Sequence, residues 1–137
     1  MFERVYRHQL DAKNRMRIPA KFRDELGDNY TITCGASGCL YVFSEEEMSK
    51  VKAELSKVSL FDEEAQKPLR LFVAMSWDAE EDKQGRILLP EDLRLYAGLE
   101  KDVVTIKNLN HLEIWSSSKW AEYISQVNFS DLAKALK

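Results

Sequence analysis

The sequence predicts an α+β, β-rich fold in which two copies of one small unit pair their strands, as a pseudo-two-fold β-barrel or interleaved sheet with peripheral helices. Three observations predict it. The segment DAKNRMRIPAKFRDELG, starting at Asp11, returns as DKQGRILLPEDLRLYAG, starting at Asp82, at a constant offset of 71. Asp11, Arg15, Pro19, Arg23 and Gly27 thereby match Asp82, Arg86, Pro90, Arg94 and Gly98. After a one-residue shift the register continues: residues 31–34 lie against 103–106, and residues 40–44 against 112–116. Finally, each copy is very small, and one hairpin with one helix buries too little apolar surface to be stable on its own.

The elements of the first copy follow in order. Residues 5–10 carry the β-branched and aromatic residues of a strand. Residues 11–14 supply turn chemistry, with Asn14 tolerating the left-handed backbone that Gly85 adopts freely in the second copy. Residues 15–18 return as a strand. Pro19 presets a helix start, and a short helix over 20–26 is closed by Gly27. Strands over 30–34 and 39–43 flank the turn Gly-Ala-Ser-Gly. Ser44 caps a helix, with Glu47 placed for a capping box. Met48, Val51, Leu55 and Val58 fall on one face of it.

The second copy repeats this order, with strands over 77–82, 86–89, 102–107 and 111–115 and a helix over 91–97. A last helix starts in the Ser116-Ser117-Ser118 region, and Trp120, Tyr123, Ile124 and Val127 form its apolar face. Between the copies a helix spans roughly residues 62–75, with Leu69, Phe72 and Val73 facing inward. Pro68 should kink or delay it. Residues 128–137 read as a short, marginal helical tail.

Composition sets the class. The 137 residues are 31% charged and 45% hydrophobic, values of an ordinary globular protein. Five glycines and three prolines argue against long flexible linkers. The sequence offers no apolar run of bilayer-spanning length, and MFERVYRHQLD places charges where a signal peptide needs an apolar stretch. A cytoplasmic location is expected, and Cys34 and Cys39 suit a reducing compartment.

The net charge is −3, but it is unevenly spread. Residues 1–23 hold seven basic residues against Glu3 and Asp11, a local +5 that leaves −8 for the remainder. Such asymmetry suits a face that meets an anion, although a solvated basic face reads the same way. From Asp78 to Arg94 the balance reverses to −3, with three basic residues against six acidic. Anion contact is therefore assigned mainly to the first copy, and a structural or inter-subunit role to the second.

These segments resemble the MraZ family, whose members join two AbrB-type swapped-hairpin units in one chain. YRHQLDAKNRMRIPAKFRDEL is similar to the family's first unit, DKQGRILLPEDLRLYAGLEKDVV to its second, and SLFDEEAQKPLRLF to its linking helix. The resemblance divides the chain into a DNA-contacting first unit over 1–60, a linking helix over 61–76, a second unit over 77–127 and a tail over 128–137. It implies a nucleoid-associated bacterial transcription regulator. Such a protein binds short direct repeats of double-stranded DNA upstream of its own gene and the cell-division and cell-wall cluster, usually as a repressor. It also implies closed rings of several subunits, and DNA contact centred on Asp11 and Arg15. Two residues depart from the pattern: Asn14 replaces the turn glycine, and Pro68 lies in the linking helix.

Arg15 is the first candidate for DNA contact, because a guanidinium forks onto guanine O6 and N7 or onto a phosphate. Arg7, Lys13 and Arg17 are expected nearby as phosphate contacts, and His8 as a hydrogen-bond partner of phosphate. Lys21 is either a phosphate contact or simply solvated. Asp11 is expected to orient Arg15, and Asn14, Asp82, Gly85 and Arg86 to have structural roles. An alternative is that Asp11 and Arg15 only bridge the ends of their turn. Arg23 and Arg94, basic in both copies, suggest structural salt bridges.

Other chemistry finds little support. Two cysteines with no suitably spaced histidine are too few for a structural zinc site and read as reduced packing thiols. Phe43 and Trp115 occupy equivalent strand positions and read as core, not as a base-stacking platform. Neither a nucleophile elbow nor a phosphate-binding glycine loop is present, so no enzyme activity, cofactor, membrane contact or small-molecule ligand is expected. Two rivals remain. One is an AbrB-class antitoxin, disfavoured because those chains carry one unit and a disordered toxin-binding tail. The other is a ring-forming scaffold with incidental DNA affinity.

Overall fold

A computed structural model of the chain describes residues 3–136. The first two residues of the expected first unit and the last residue of the tail lie outside the described residues. The first unit contributes β1 (Val5–Gln9), β2 (Arg15–Met16), α1 (Ala20–Leu26), β3 (Tyr30–Cys34), β4 (Leu40–Ser44) and α2 (Glu45–Leu55). After α3 (Glu63–Met75) come β5 (Trp77–Asp78), β6 (Ile87–Leu88), α4 (Glu91–Ala97), β7 (Asp102–Lys107), β8 (Leu112–Ser116) and α5 (Ser117–Ser125). A turn of 3₁₀ helix and the one-turn α6 (Leu132–Ala135) end the described chain.

Local signals act as expected at most boundaries. The Ser44 hydroxyl accepts the Glu47 backbone N–H at 3.2 Å, and the Ser116 hydroxyl accepts that of Lys119 at 3.4 Å. Pro19 and Pro90 are the N-cap residues of α1 and α4, and Gly98 closes α4 in the left-handed conformation. Asn14 and Gly85 both hold positive φ, 63° and 76°, at equivalent points of the two hairpin turns.

The sheet is where the two copies meet. Six antiparallel strands run in the order β1-β7-β8-β4-β3-β5, and β2 pairs with β6 in a separate two-stranded ribbon. The first strand of each copy thus lies on the other copy's hairpin: β1 on β7, and β5 on β3. At the centre, Leu40 pairs with Ile114, Tyr41 with Glu113 and Val42 with Leu112. Repeat-equivalent residues exchange places in this register, so a pseudo-two-fold axis passes between Tyr41 and Glu113. In the ribbon the same axis passes between Met16 and Ile87.

Some expectations are corrected. The six-stranded sheet ends at β1 and β5 and does not close, so of the two expected arrangements its hydrogen bonding forms the interleaved sheet and not a closed barrel. The symmetry is also incomplete at its edges, because β1 makes five pairs with its neighbour and β5 only two. The hairpin strands are shorter than anticipated because turns and prolines bound them closely. Pro68 does not interrupt α3, which runs unbroken from Glu63 to Met75. Its C-terminal half packs on β3, with the Thr33 hydroxyl donating to the Phe72 carbonyl at 3.0 Å. Val73 does not face inward as expected but is largely exposed, and Gln66 is buried on this helix instead. On α5, Tyr123 and Ile124 are also exposed within one chain, as is Val127 just beyond.

Ile32, Leu40, Val42, Ile87, Leu89, Leu93, Val103 and Ile114 form the heart of the shared core. Each such side chain stabilises the fold by about 2 kcal/mol. A smaller cluster gathers Cys39, Val104 and Trp115 with Trp120. Phe43 and Trp115 are buried, as core residues should be. Cys34 and Cys39 are free and buried, and burial pushes the Cys39 thiol up to about 12.

One polar lock ties the copies together. Arg23 donates from Nε and Nη2 to the two carboxylate oxygens of Glu81 at 2.8 and 2.9 Å, and the Tyr30 hydroxyl donates to the same carboxylate at 2.7 Å. Arg94 has no such carboxylate, because the position equivalent to Glu81 is Leu10; its Nε donates to the Leu89 carbonyl instead. Glu81→Ala should therefore destabilise the protein by about 2 kcal/mol, since it removes the bidentate partner of Arg23 and leaves the hydroxyl of the buried Tyr30 unpaired. Arg94→Ala should cost clearly less, and urea unfolding of the two variants measures the difference.

Candidate nucleic-acid interface

The two Asp-x-x-x-Arg turns are built alike. Asp11 Oδ1 accepts the backbone N–H groups of Lys13 and Arg15, both at 2.9 Å, while Oδ2 accepts Arg15 Nε at 2.7 Å. Asp82 does the same for Gln84 at 2.8 Å and Arg86 at 2.9 Å, and takes Arg86 Nε at 2.9 Å. The carboxylate thus closes the turn and aims the arginine in one motion. Backbone N–H donation, foremost from Arg15 and Arg86, holds both carboxyls below their ordinary range. Gripping Nε leaves both terminal nitrogens of each guanidinium without another hydrogen bond among the described residues. Those nitrogens form a fork of the geometry that can pair with a phosphate or a guanine edge.

The ribbon decides where these arginines point. In β2 and β6, Arg15 stands opposite Leu88 and Met16 opposite Ile87. Met16 and Ile87 are buried, so their neighbours Arg15, Arg17, Arg86 and Leu88 occupy the outer face. Asp11, Arg15, Arg17 and Arg86 line one open surface concavity together with Tyr6 and His8. The acidic count around Arg86 overstates the local charge, because Glu81 is held by Arg23, which lies outside the counted segment.

Other candidates sit around this centre. Lys13 is exposed at the tip of the first turn, and Lys21 lies 5.4 Å over the Tyr6 ring. The alternation of β1 puts Arg7 on the opposite face from Tyr6 and His8, away from the concavity. His8 Nε2 shares a 2.7 Å hydrogen bond with Thr105 Oγ1. Burial lowers the His8 pKa to about 4, so the ring is neutral at pH 7. Sequence reasoning placed Arg86 outside the binding set. The structure places it, the repeat equivalent of Arg15, on the same outer face of the ribbon.

An α+β protein of duplicated units, with a basic two-stranded ribbon on its surface, is the class that this fold and site define. Comparison with known proteins narrows it. The family model described as "MraZ protein, putative antitoxin-like" matches residues 1–71 and 77–137. A protein of Clostridium beijerinckii named "Transcriptional regulator MraZ" is 42% identical over 137 residues, covering 99% of this chain and 96% of that protein. Proteins of the same name from Acetivibrio thermocellus and Ligilactobacillus salivarius are 44% and 40% identical. These cover 95% and 98% of this chain, and 91% and 95% of their own lengths. The chain belongs to the MraZ family.

The neutral His8 makes a testable contribution to stability. Its pKa in the fold is below the roughly 6.5 of an unfolded histidine. The contribution is therefore complete above about pH 6.5 and is lost as pH falls toward about 4. His8→Gln keeps a hydrogen-bonding side chain without this titration. Urea midpoints across that range should fall more for wild type than for His8→Gln; parallel curves would contradict the assignment.

Proposed function

We propose that the protein is a sequence-specific DNA-binding transcription regulator, acting in the cytoplasm on the nucleoid as a repressor. Its sites are repeats upstream of its own gene and of the cell-division and cell-wall gene cluster. The observation that carries this reading is the ribbon, where two guanidinium forks preset by Asp11 and Asp82 share one exposed face. A two-stranded ribbon fits the major groove, and arginine is the residue that most often reads guanine there. The names of the relatives support the regulatory role.

In this reading the first unit, residues 1–60, and the second, residues 77–127, are AbrB-type swapped-hairpin units joined by the helix of 61–76. Arg15 reads a base edge, with Asp11 and the Asn14 turn orienting it. Arg17 and Lys13 contact phosphate beside it and Lys21 does so from the flank, while Arg7, on the opposite face of β1, lies outside this contact. His8 offers the DNA a neutral ring nitrogen and not a charge. Asp82 and Gly85 shape the second turn, and Arg86, on the same outer face as Arg15, joins the binding set in this reading.

The protein acts as a ring of identical subunits, so neighbouring ribbons meet successive repeats. Exposed apolar side chains supply surface for that contact: Leu60 and Phe61 before α3, and Ile124, Val127, Phe129 and Leu136 along α5 and the tail. The antitoxin alternative gains nothing here, since both units contribute to one sheet.

Binding to the DNA upstream of the protein's own gene, against random DNA across a salt series, tests the function. Wild type should prefer the upstream DNA and weaken steeply with salt. Arg15→Ala should lose roughly tenfold or more of that preference. No preference in wild type would sink the regulator reading in favour of the scaffold. A preference that survives Arg15→Ala would leave the function and remove this site.

A further inference from the structure

The outer face of the ribbon holds one residue that a phosphate-binding surface does not explain. Leu88 is 57% exposed, although its strand neighbours Ile87 and Leu89 are 0% and 1% exposed. It is therefore not at a frayed end; buried neighbours on both sides hold its backbone, and the pleat points its side chain outward. Its partner across the ribbon is Arg15. Directly opposite residues of an antiparallel pair share a face with Cβ atoms about 5 Å apart. An isobutyl group thus stands beside the guanidinium that Asp11 aims outward.

The repeat sharpens the point. The first-copy equivalent of Leu88 is Arg17, so the pseudo-two-fold ribbon presents a cation on one side and an alkyl group on the other. Leucine gains nothing from phosphate. What the major groove offers an alkyl side chain is the C5-methyl group of thymine.

We infer that Leu88 is a specificity-determining residue that packs on the methyl group of a thymine next to the base edge read by Arg15. The inference rests on the DNA-binding function proposed above. It has a structural consequence: the two halves of the ribbon read different chemistry, so the ribbon binds its site in one direction and not as a palindrome.

The test uses the full-length protein and a short duplex narrowed from the upstream DNA. Each thymine in turn is replaced by deoxyuridine, which removes only the methyl group. Wild type should lose about fourfold in affinity at one thymine, the worth of one buried methyl group. Leu88→Ala, at an exposed position where folding is unaffected, should bind thymine and uracil there equally. Leu88→Arg should also lose the discrimination, and should steepen the slope of log affinity against log salt by about one.

If no thymine shows the effect, or if Leu88→Ala retains it, the inference is overturned while a retained preference for upstream DNA keeps the regulator reading. If wild type does not distinguish upstream from random DNA, the proposed function itself fails and this inference with it.

Discussion

Neither repeat can bury an apolar core by itself, and the rest of the structure follows from that constraint. Four short strands and two helices leave most of their apolar atoms in water. The solution is reciprocal. Each copy lends its first strand to the other copy's hairpin, and the two hairpins meet through β4 and β8. The core residues Ile32, Val42, Leu89 and Val103 are then shared property of both copies.

The same exchange builds the surface. Pairing β2 with β6 brings two turns that are 71 residues apart in sequence onto one face. Each turn already contains its own device, an aspartate that satisfies two backbone N–H groups and grips its arginine. Because the carboxylate does both tasks, the orientation of the guanidinium is tied to the conformation of the turn. Rigid placement of this kind lowers the entropy lost when a ligand is bound.

Symmetry is kept where packing demands it and relaxed elsewhere. The central registers are self-complementary, since mismatched pairing there would turn apolar residues toward water. At the periphery the copies diverge. Arg23 finds Glu81 and Tyr30, whereas Arg94 meets only a backbone carbonyl because Leu10 stands in place of a glutamate. The ribbon diverges too, with Arg17 on one side and Leu88 on the other. A duplicated core can thus carry a surface whose halves differ.

Much of the local structure was legible in the sequence. The capping serines, the prolines before α1 and α4, the left-handed Asn14 and Gly85 and the burial of Phe43 and Trp115 all depend on short-range chemistry or two-residue alternation. The repeat itself was readable because equivalent backbone tasks select equivalent residues at Asp11 and Asp82, or at Pro19 and Pro90. Only the tertiary structure decided what meets across the copies. Whether the sheet closes depends on edge pairing, which no local signal encodes. Val73 and Ile124 have the spacing of core residues, and nothing in a helix's own period says whether a partner surface exists. The linear charge count around Arg86 includes Glu81, whose carboxylate is held by a residue 58 positions away, a pairing no local count can register. Conversely, β2–β6 pairing put Arg15, Arg17, Arg86 and Leu88 on one face, a neighbourhood set by long-range strand register and not by any one stretch of chain.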